Sequence, residues 1–239
     1  MRILVLIPAR GGSKRLPDKN VRLLGGSPLI VWSINIAQDV PEVCDILVST
    51  DSEEIAEISK NSGAIVPWLR PIEMATDSDS LTDVCLHALE WYENNKGKVD
   101  GLLLLQPTSP FRSRDSILRG IEIFRLHKHC SVIGVSPAKS HPMWCFKIEG
   151  ETMHPFIEGE GLYMRSQDLP SAYVINGAFY LIKPENLREH GSFFTNNMVP
   201  LVIDALEECI DIDTQIDWRL AEEVLAKYAL RIVTPNQKK

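Results

Sequence analysis

ILVLIPARGGSKRLPDKN (Ile3–Asn20) opens on five consecutive apolar residues and passes through Pro8 into a loop dense in glycine and positive charge. A run of that length and branching reads as a strand buried on both faces, the pattern of a parallel sheet with helices on either side. In such sheets ligands bind in the crevice beyond the C-terminal strand ends, so the loop after this strand faces that crevice. Between Arg10 and Arg22 lie five basic residues (Arg10, Lys14, Arg15, Lys19, Arg22) and one acid, Asp18, in a chain of net charge -7. Gly11 and Gly12 let backbone N–H groups approach an oxyanion, and the cations supply charge, which together suit a polyphosphate. A solvated basic turn has the same composition; position after the first strand and contrast with the acidic whole favour the anion site. Neither common phosphate loop fits. There is no Gly-Lys-Ser/Thr for a Walker A motif, and adjacent glycines without a third do not make G-x-G-x-x-G.

Further apolar runs, DILVST, GLLLLQ and SVIGVS, alternate with helical patterns. SPLIVWSINIAQ offers Ser27 as N-cap and Pro28 at the first helical position. DSEEIAEISKNSG has acids in its first turn and Gly63 just past its end. Leu81, Val84, Cys85, Ala88, Leu89 and Tyr92 form one stripe, and Ile117, Ile121 and Phe124 another. The alternation predicts an α/β fold, a Rossmann-like, mostly parallel sheet flanked by helices. After Pro137 the rhythm changes. Residues 138–171 contain HPMWCFKIEGETMHPFIEGEGLYM, whose short segments and turn residues predict antiparallel hairpins outside the main sheet. The α/β pattern returns with NGAFYLI, PLVIDAL and a last helix in which Leu220, Val224, Leu225 and Tyr228 share a face. TPNQKK reads as a frayed tail.

At 239 residues the chain fits one large domain, or one domain with an insertion. Hydrophobic content of 44% and charged content of 24% describe an ordinary soluble protein. The acidic balance argues against a nucleic-acid binder, which needs a broad basic surface. Five scattered cysteines without a C-x-x-C pair signal neither zinc nor a redox dithiol, and suggest reduced cytoplasmic thiols. The apolar run ending at Ile7 is shorter than the roughly 7–15 residues of a signal-peptide core, and nothing approaches the ~18 of a membrane span.

Two more stretches carry chemistry. In CIDIDTQID, strand alternation would send Asp211 and Asp213 to one face and Ile210 and Ile212 to the other. Two carboxylates on one side suit Mg²⁺, which fills its remaining positions with water and substrate phosphates; alternatively Asp213 caps the last helix. In LQPTSPFR, Gln106 emerges at a strand end before a proline-stiffened turn, where its carboxamide either reads a substrate group or closes the turn.

Six ordered motifs, PARGGSKRLPDKN, VSTD, LRPIEMATDSDS, LLQPTSPFR, NGAFYLI and IDIDTQIDW, resemble the acylneuraminate cytidylyltransferase family, the CMP-sialic acid synthetases. The resemblance runs from about residue 3 to the last helix. It implies a fold of the nucleotide-diphospho-sugar transferase type and a Mg²⁺-dependent transfer of CMP from CTP to the anomeric hydroxyl of a nonulosonic acid, releasing pyrophosphate. Carried over residue by residue, Arg10, Gly11, Ser13, Lys14, Lys19 and Asn20 would hold the nucleotide, with Arg70 and Ser80 nearby. Gln106 would contact the sugar, Arg165 its carboxylate or the neighbouring subunit's site, and Asn176 would line the pocket. Asp211 and Asp213 would bind Mg²⁺, and Lys19 and Asp211 would be catalytic. Residues 138–171 correspond to a dimerisation arm, implying a homodimer.

Two departures bear on the sugar. Trp144 and Val174 stand where cations are common in sialic acid enzymes, which suggests a less hydroxylated sugar such as legionaminic acid. Rival readings are a cytidylyltransferase for an eight-carbon 3-deoxy keto acid sugar and a catalytically silent nucleotide-binding protein.

Overall fold

The computed structural model describes residues 1–71, 80–127 and 130–233. The first half of the chain builds β1 (Ile3–Pro8), β2 (Leu23–Leu24), β3 (Ser27–Pro28), α1 (Leu29–Gln38), β4 (Val43–Ser49) and α2 (Glu53–Asn61), then α3 (Leu81–Lys96) and β5 (Gly101–Leu104). There follow α4 (Arg114–Leu126), β6 (Ser131–Pro137), β7 (Phe146–Glu149), β8 (Thr152–Pro155), β9 (Tyr173–Ile182), α5 (Pro184–His190), β10 (Met198–Val202) and α6 (Gln215–Val233). Six strands form one sheet in the order β10-β6-β9-β5-β1-β4. β1 pairs in parallel with β4 and β5, as β10 does with β6, whereas β9 runs antiparallel to both its neighbours. The parallel α/β expectation holds with that one reversal, and the reversal brings Asn176 and Gly177 to the end of the sheet where β5 finishes.

Burial on both faces follows from period-2 alternation. Ile3, Val5, Ile7 and Leu103 pack with Ile30, Ile34, Ile117, Ile121 and Phe124 of α1 and α4, while Leu4, Leu6, Leu102 and Leu104 pack with Cys85, Ala88, Leu89 and Tyr92 of α3. The predicted helix stripes are therefore the core faces. A third, smaller cluster joins Leu16 of the basic loop to Ile210, Ile212, Trp218 and Ala221.

α1 starts differently from the expectation. Ser27 and Pro28 form β3, paired with β2, and Ser27 does not cap the helix. The first N–H groups of α1 are instead taken by the basic loop: Leu29 N donates to Arg22 O and Ile30 N to Asn20 O, both at 3.0 Å. α2 is capped by Ser52, with Glu53 and Glu54 in its first turn. In α6 the inward residues are Trp218 and Ala221, with Val224 and Leu225 half-buried, while Leu220 turns outward. The side chain of Tyr228, the tail 234–239 and positions 72–79 of the LRPIEMATDSDS motif lie outside the described residues. Within 138–171 the expected hairpin is present as β7 paired with β8, flanked by short 3-10 turns. Among the described residues no helix is long and apolar enough to cross a membrane.

Candidate active site

The basic loop leaves β1 at Pro8 and returns at α1. Asp18 turns it in a left-handed conformation (φ 54°), with the Val21 and Arg22 amides donating to the Asp18 carbonyl. Asn20 Nδ2 donates to Arg10 O at 2.9 Å, tying the two arms of the loop together. Leu16 plugs its middle into the small cluster beside Ile212 and Trp218. Burial of these few side chains brings the loop against the Ile210–Asp213 segment, which is an extended connection and not the predicted strand. Alternation survives without a sheet partner: Ile210 and Ile212 are buried, Asp211 and Asp213 face outward, and Ile212 N donates to Thr108 O at 2.7 Å.

Lys19 closes the contact. Its ammonium, nearly buried, donates to Ile212 O at 2.8 Å and to Asp213 Oδ1 at 2.9 Å. Arg15, largely exposed, reaches Asp213 Oδ2 at 3.3 Å. Asp213 does not cap α6. Thr214 Oγ1 accepts from Asp217 N at 3.4 Å, and the Asp217 carboxylate accepts from the amides of Asp213 and Thr214 and from the Thr214 hydroxyl, a reciprocal capping box.

A pocket of about 610 Å³ opens at the ends of β1 and β5, lined by Arg10, Ser13, Lys14, Lys19, Asn20, Arg70, Gln106 and Asp213, with Arg15, Pro107, Thr108 and Val84 between them. Its size and its few convergent polar groups are those of a small-molecule site. Eight of the predicted residues thus share one concavity. Arg70 is pinned to the end of β4, its guanidinium donating to Ser49 Oγ and Ser49 O.

The remaining predicted residues stand elsewhere. Gly11 serves close packing: its N–H donates to Asp51 Oδ1 at 2.8 Å, so it is not turned to an oxyanion, and a Cβ there would lie 3.1 Å from Ser52 Cβ. Ser80 caps α3, its hydroxyl accepting from Thr82 N. Asn176 is buried and its amide is used inside the sheet, Nδ2 donating to Ser136 Oγ at 2.9 Å and Oδ1 accepting from Ala178 N at 3.0 Å. Arg165 lies exposed in the arm, paired with Asp168. Arg22 stacks 4.2 Å over the Trp218 ring and so braces α6. Trp144, edge-on to His141, and Val174, exposed on β9, do not line the pocket of their own chain.

Asp211 sits beside the pocket, over Gly177 and within hydrogen-bonding reach of Thr108. One side of it faces solvent. Desolvation on the other side raises its carboxyl above the ordinary range, and Asp213 pushes the same way, against the Thr108 hydrogen bond and the charge of Lys19. Two hard carboxylates that repel one another suit a divalent cation. Among the described residues no three His, Cys, Asp or Glu side chains converge, so a cation here would keep positions for water or substrate oxygens, as Mg²⁺ does.

Sequence reasoning missed Arg112. It is buried, donating to Ala178 O, to Gln106 O and, at 3.0 Å, to Ser33 Oγ, so it ties β9, the Gln106 turn and α1 together beneath Asp211. Burial lowers its pKa, while Asp211 and Glu208 act to raise it. The available signal was an arginine six residues after Gln106, closing the LQPTSPFR stretch.

A mostly parallel sheet with a cation-lined pocket at the C-terminal ends of β1 and β5 is the arrangement of an α/β protein that binds a small anionic ligand. Residues 4–232 match the family model described as "Cytidylyltransferase", and the chain belongs to that family and is a nucleotidyltransferase. It is 40% identical over 228 residues to the CMP-N,N'-diacetyllegionaminic acid synthase of Legionella pneumophila, covering 94% of this chain and 97% of that protein. It is 34% identical to an N-acylneuraminate cytidylyltransferase of Streptococcus agalactiae, over 97% of this chain but 55% of that protein, so it spans about half of that relative. A pseudaminic acid cytidylyltransferase of Campylobacter jejuni is 31% identical, over 93% of this chain and 95% of that one. Among solved structures, a CMP:2-keto-3-deoxy-manno-octonic acid synthetase complexed with CTP superposes with a TM-score of 0.71 at 15% identity, covering 95% of this chain and all (100%) of that one. That likeness establishes the fold.

Proposed function

We propose that the protein transfers CMP from CTP to the anomeric hydroxyl of a nonulosonic acid of the legionaminic type, with release of pyrophosphate. The observation that carries the chemistry is the meeting of Lys19 with Asp213 inside a pocket that Arg10, Lys14 and Arg70 also line. Attack of the sugar oxygen on the α-phosphorus forms one P–O bond and breaks the bond to the β-phosphate, and negative charge grows on the departing pyrophosphate. Fixed cations held in a partly dry site are the strongest aid to such a step. Arg10, Lys14, Lys19 and Arg70 take that role. Asp211 and Asp213 would hold Mg²⁺, which when bound supplies Lewis-acid polarisation of phosphate oxygens. Asp211 is the group to which the sugar hydroxyl passes its proton, and Gln106, at the pocket wall, reads the sugar.

The legionaminic reading rests on the 40% identity with the Legionella synthase over nearly its whole length. The polarity argument from Trp144 and Val174 applies only if the arm of a second copy reaches the pocket. Support for a homodimer comes from exposed apolar side chains on the arm and β9, with Ile148, Phe156, Tyr163 and Val174 all more than half exposed. We assign the reaction to the cytoplasm, in keeping with five unpaired cysteines.

Pyrophosphate release from CTP, followed with legionaminic, N-acetylneuraminic, pseudaminic and eight-carbon keto acid sugars and with no sugar, tests the reading. The highest kcat/KM is expected with the legionaminic derivative. Preference for the eight-carbon sugar, or no sugar-dependent release at all, would overturn it. Sedimentation of Tyr163→Asp and Ile148→Glu against the parent chain tests the dimer.

A further inference from the structure

Each oxygen of Asp213 accepts from a separate cation: Lys19 donates to Oδ1 at 2.9 Å and Arg15 to Oδ2 at 3.3 Å. The two cations differ in freedom. Lys19 is nearly buried and anchored to Ile212 O as well, whereas the Arg15 side chain is 73% exposed and lines the same pocket as Arg10 and Lys14. Asp213 is itself 45% exposed, so what opposes a dication arriving from solvent is the positive charge of its two partners.

We propose that Arg15 is a positioning residue that withholds Asp213 from divalent cations until a nucleoside triphosphate arrives. The proposal rests on the nucleotide-binding reading above. Arg15 exchanges one anion for another: the triphosphate oxygens draw the guanidinium off Asp213 Oδ2, and the freed oxygen would then be available to hold a divalent cation together with Asp211. Lys19, tethered to the Ile212 carbonyl, cannot make that exchange without exposing a buried group, and stays with Oδ1. The exchange conserves charge pairing and needs only the long, exposed Arg15 side chain to move. An exposed ion pair shifts an equilibrium by up to about fivefold, and removing the guanidinium also removes its repulsion of the incoming dication, so the whole effect is on the order of threefold to tenfold.

Two binding measurements without turnover test this. Mn²⁺ binding to the nucleotide-free chain, followed by electron paramagnetic resonance, should tighten by about threefold to tenfold in Arg15→Gln. It should stay near the parent value in Arg15→Lys, and the gain should vanish in the double variant with Asp213→Asn. CTP binding in excess chelator, followed by calorimetry, should weaken in Arg15→Gln and largely recover in Arg15→Lys. An Arg15→Gln variant with unchanged or weaker Mn²⁺ affinity overturns the withholding of Asp213. Unchanged metal-free CTP affinity in that variant overturns the coupling to nucleotide. A parent chain that binds no CTP overturns the nucleotide-binding reading together with this one, whereas failure of the sugar panel alone leaves both binding outcomes decisive.

Discussion

Lys19 Nζ donates to Asp213 Oδ1 at 2.9 Å although 194 residues separate them, and a second bond to Ile212 O at 2.8 Å fixes the ammonium in place. One side chain thus joins the basic loop to the acidic segment. Replacing it with methionine keeps the stem and removes the charge. Loss of a preorganised cation from a phosphoryl-transfer site is expected to lower kcat by on the order of 100-fold or more. Leaving the Ile212 carbonyl without its donor should destabilise the chain by about 1–3 kcal/mol. Pyrophosphate release and urea unfolding read the two effects; turnover within a factor of a few of the parent would remove Lys19 from the catalytic set.

Asp211 has a carboxyl raised above the ordinary range, chiefly by desolvation and then by Asp213. An acid with a raised folded-state pKa favours the folded form below its unfolded pKa, and that contribution is lost as pH rises through the folded value. At neutral pH the ionised group is therefore held where its charge is disfavoured. Asp211→Asn should raise Tm at neutral pH, and raise it less in mild acid, while abolishing most activity. Thermal melts of both chains at the two pH values check this. A Tm that falls at neutral pH would mean the carboxylate is net stabilising and the pair is better compensated than its surroundings imply.

Asp217 has the opposite sign. Desolvation alone would raise it, but hydrogen bonds from the Thr214 hydroxyl and from the Thr214 and Asp213 amides outweigh that and hold it below the ordinary range. Its contribution is present above the unfolded pKa, about 3.9, and is lost as pH falls through the folded value. Asp217→Ala should cost about 0.5–2 kcal/mol near neutrality, as the loss of other helix-capping interactions does. In strong acid the difference from the parent should disappear, which urea unfolding across pH will show.

How much of this was legible in sequence follows from where each interaction lies along the chain. The strands and the helix faces were legible because alternation and helical periodicity act within a few residues. Ile210–Asp213 kept its alternation even though no strand formed, since the driving force is burial of Ile210 and Ile212 and not sheet pairing. The direction of β9 was not legible: its inner part, from Asn176 to Ile182, has the same composition whichever way it runs. The Ser27 cap failed because the acceptors that satisfy α1, Arg22 O and Asn20 O, are backbone atoms of a preceding loop. Arg112 stayed hidden for a related reason, as it bonds to the Ala178 carbonyl 66 residues away and carbonyls leave no mark in sequence. Asn176 shows the converse, a motif residue whose amide is spent on Ser136 and Ala178 inside the sheet.

Gly177 adopts φ +75° where β9 passes beneath the site. A Cβ there would stand 3.4 Å from Gln106 Oε1, 3.5 Å from Ser109 Oγ and 4.0 Å from the Asp211 carboxyl carbon, ordinary contact distances. Space is therefore not the obstacle to alanine; the backbone is. An L side chain in this region should cost about 1 kcal/mol or more. Relief of that strain would move Gly177 relative to Gln106 and Asp211 while leaving the basic loop, held by the Asn20–Arg10 and Lys19–Ile212 bonds, where it is. The Gly177→Ala variant should accordingly melt earlier, show a raised KM for the keto acid sugar and keep its CTP affinity. Parallel loss of CTP binding would show that β9 supports the nucleotide side of the pocket as well, and that Gly177 does not act through Gln106 and Asp211 alone.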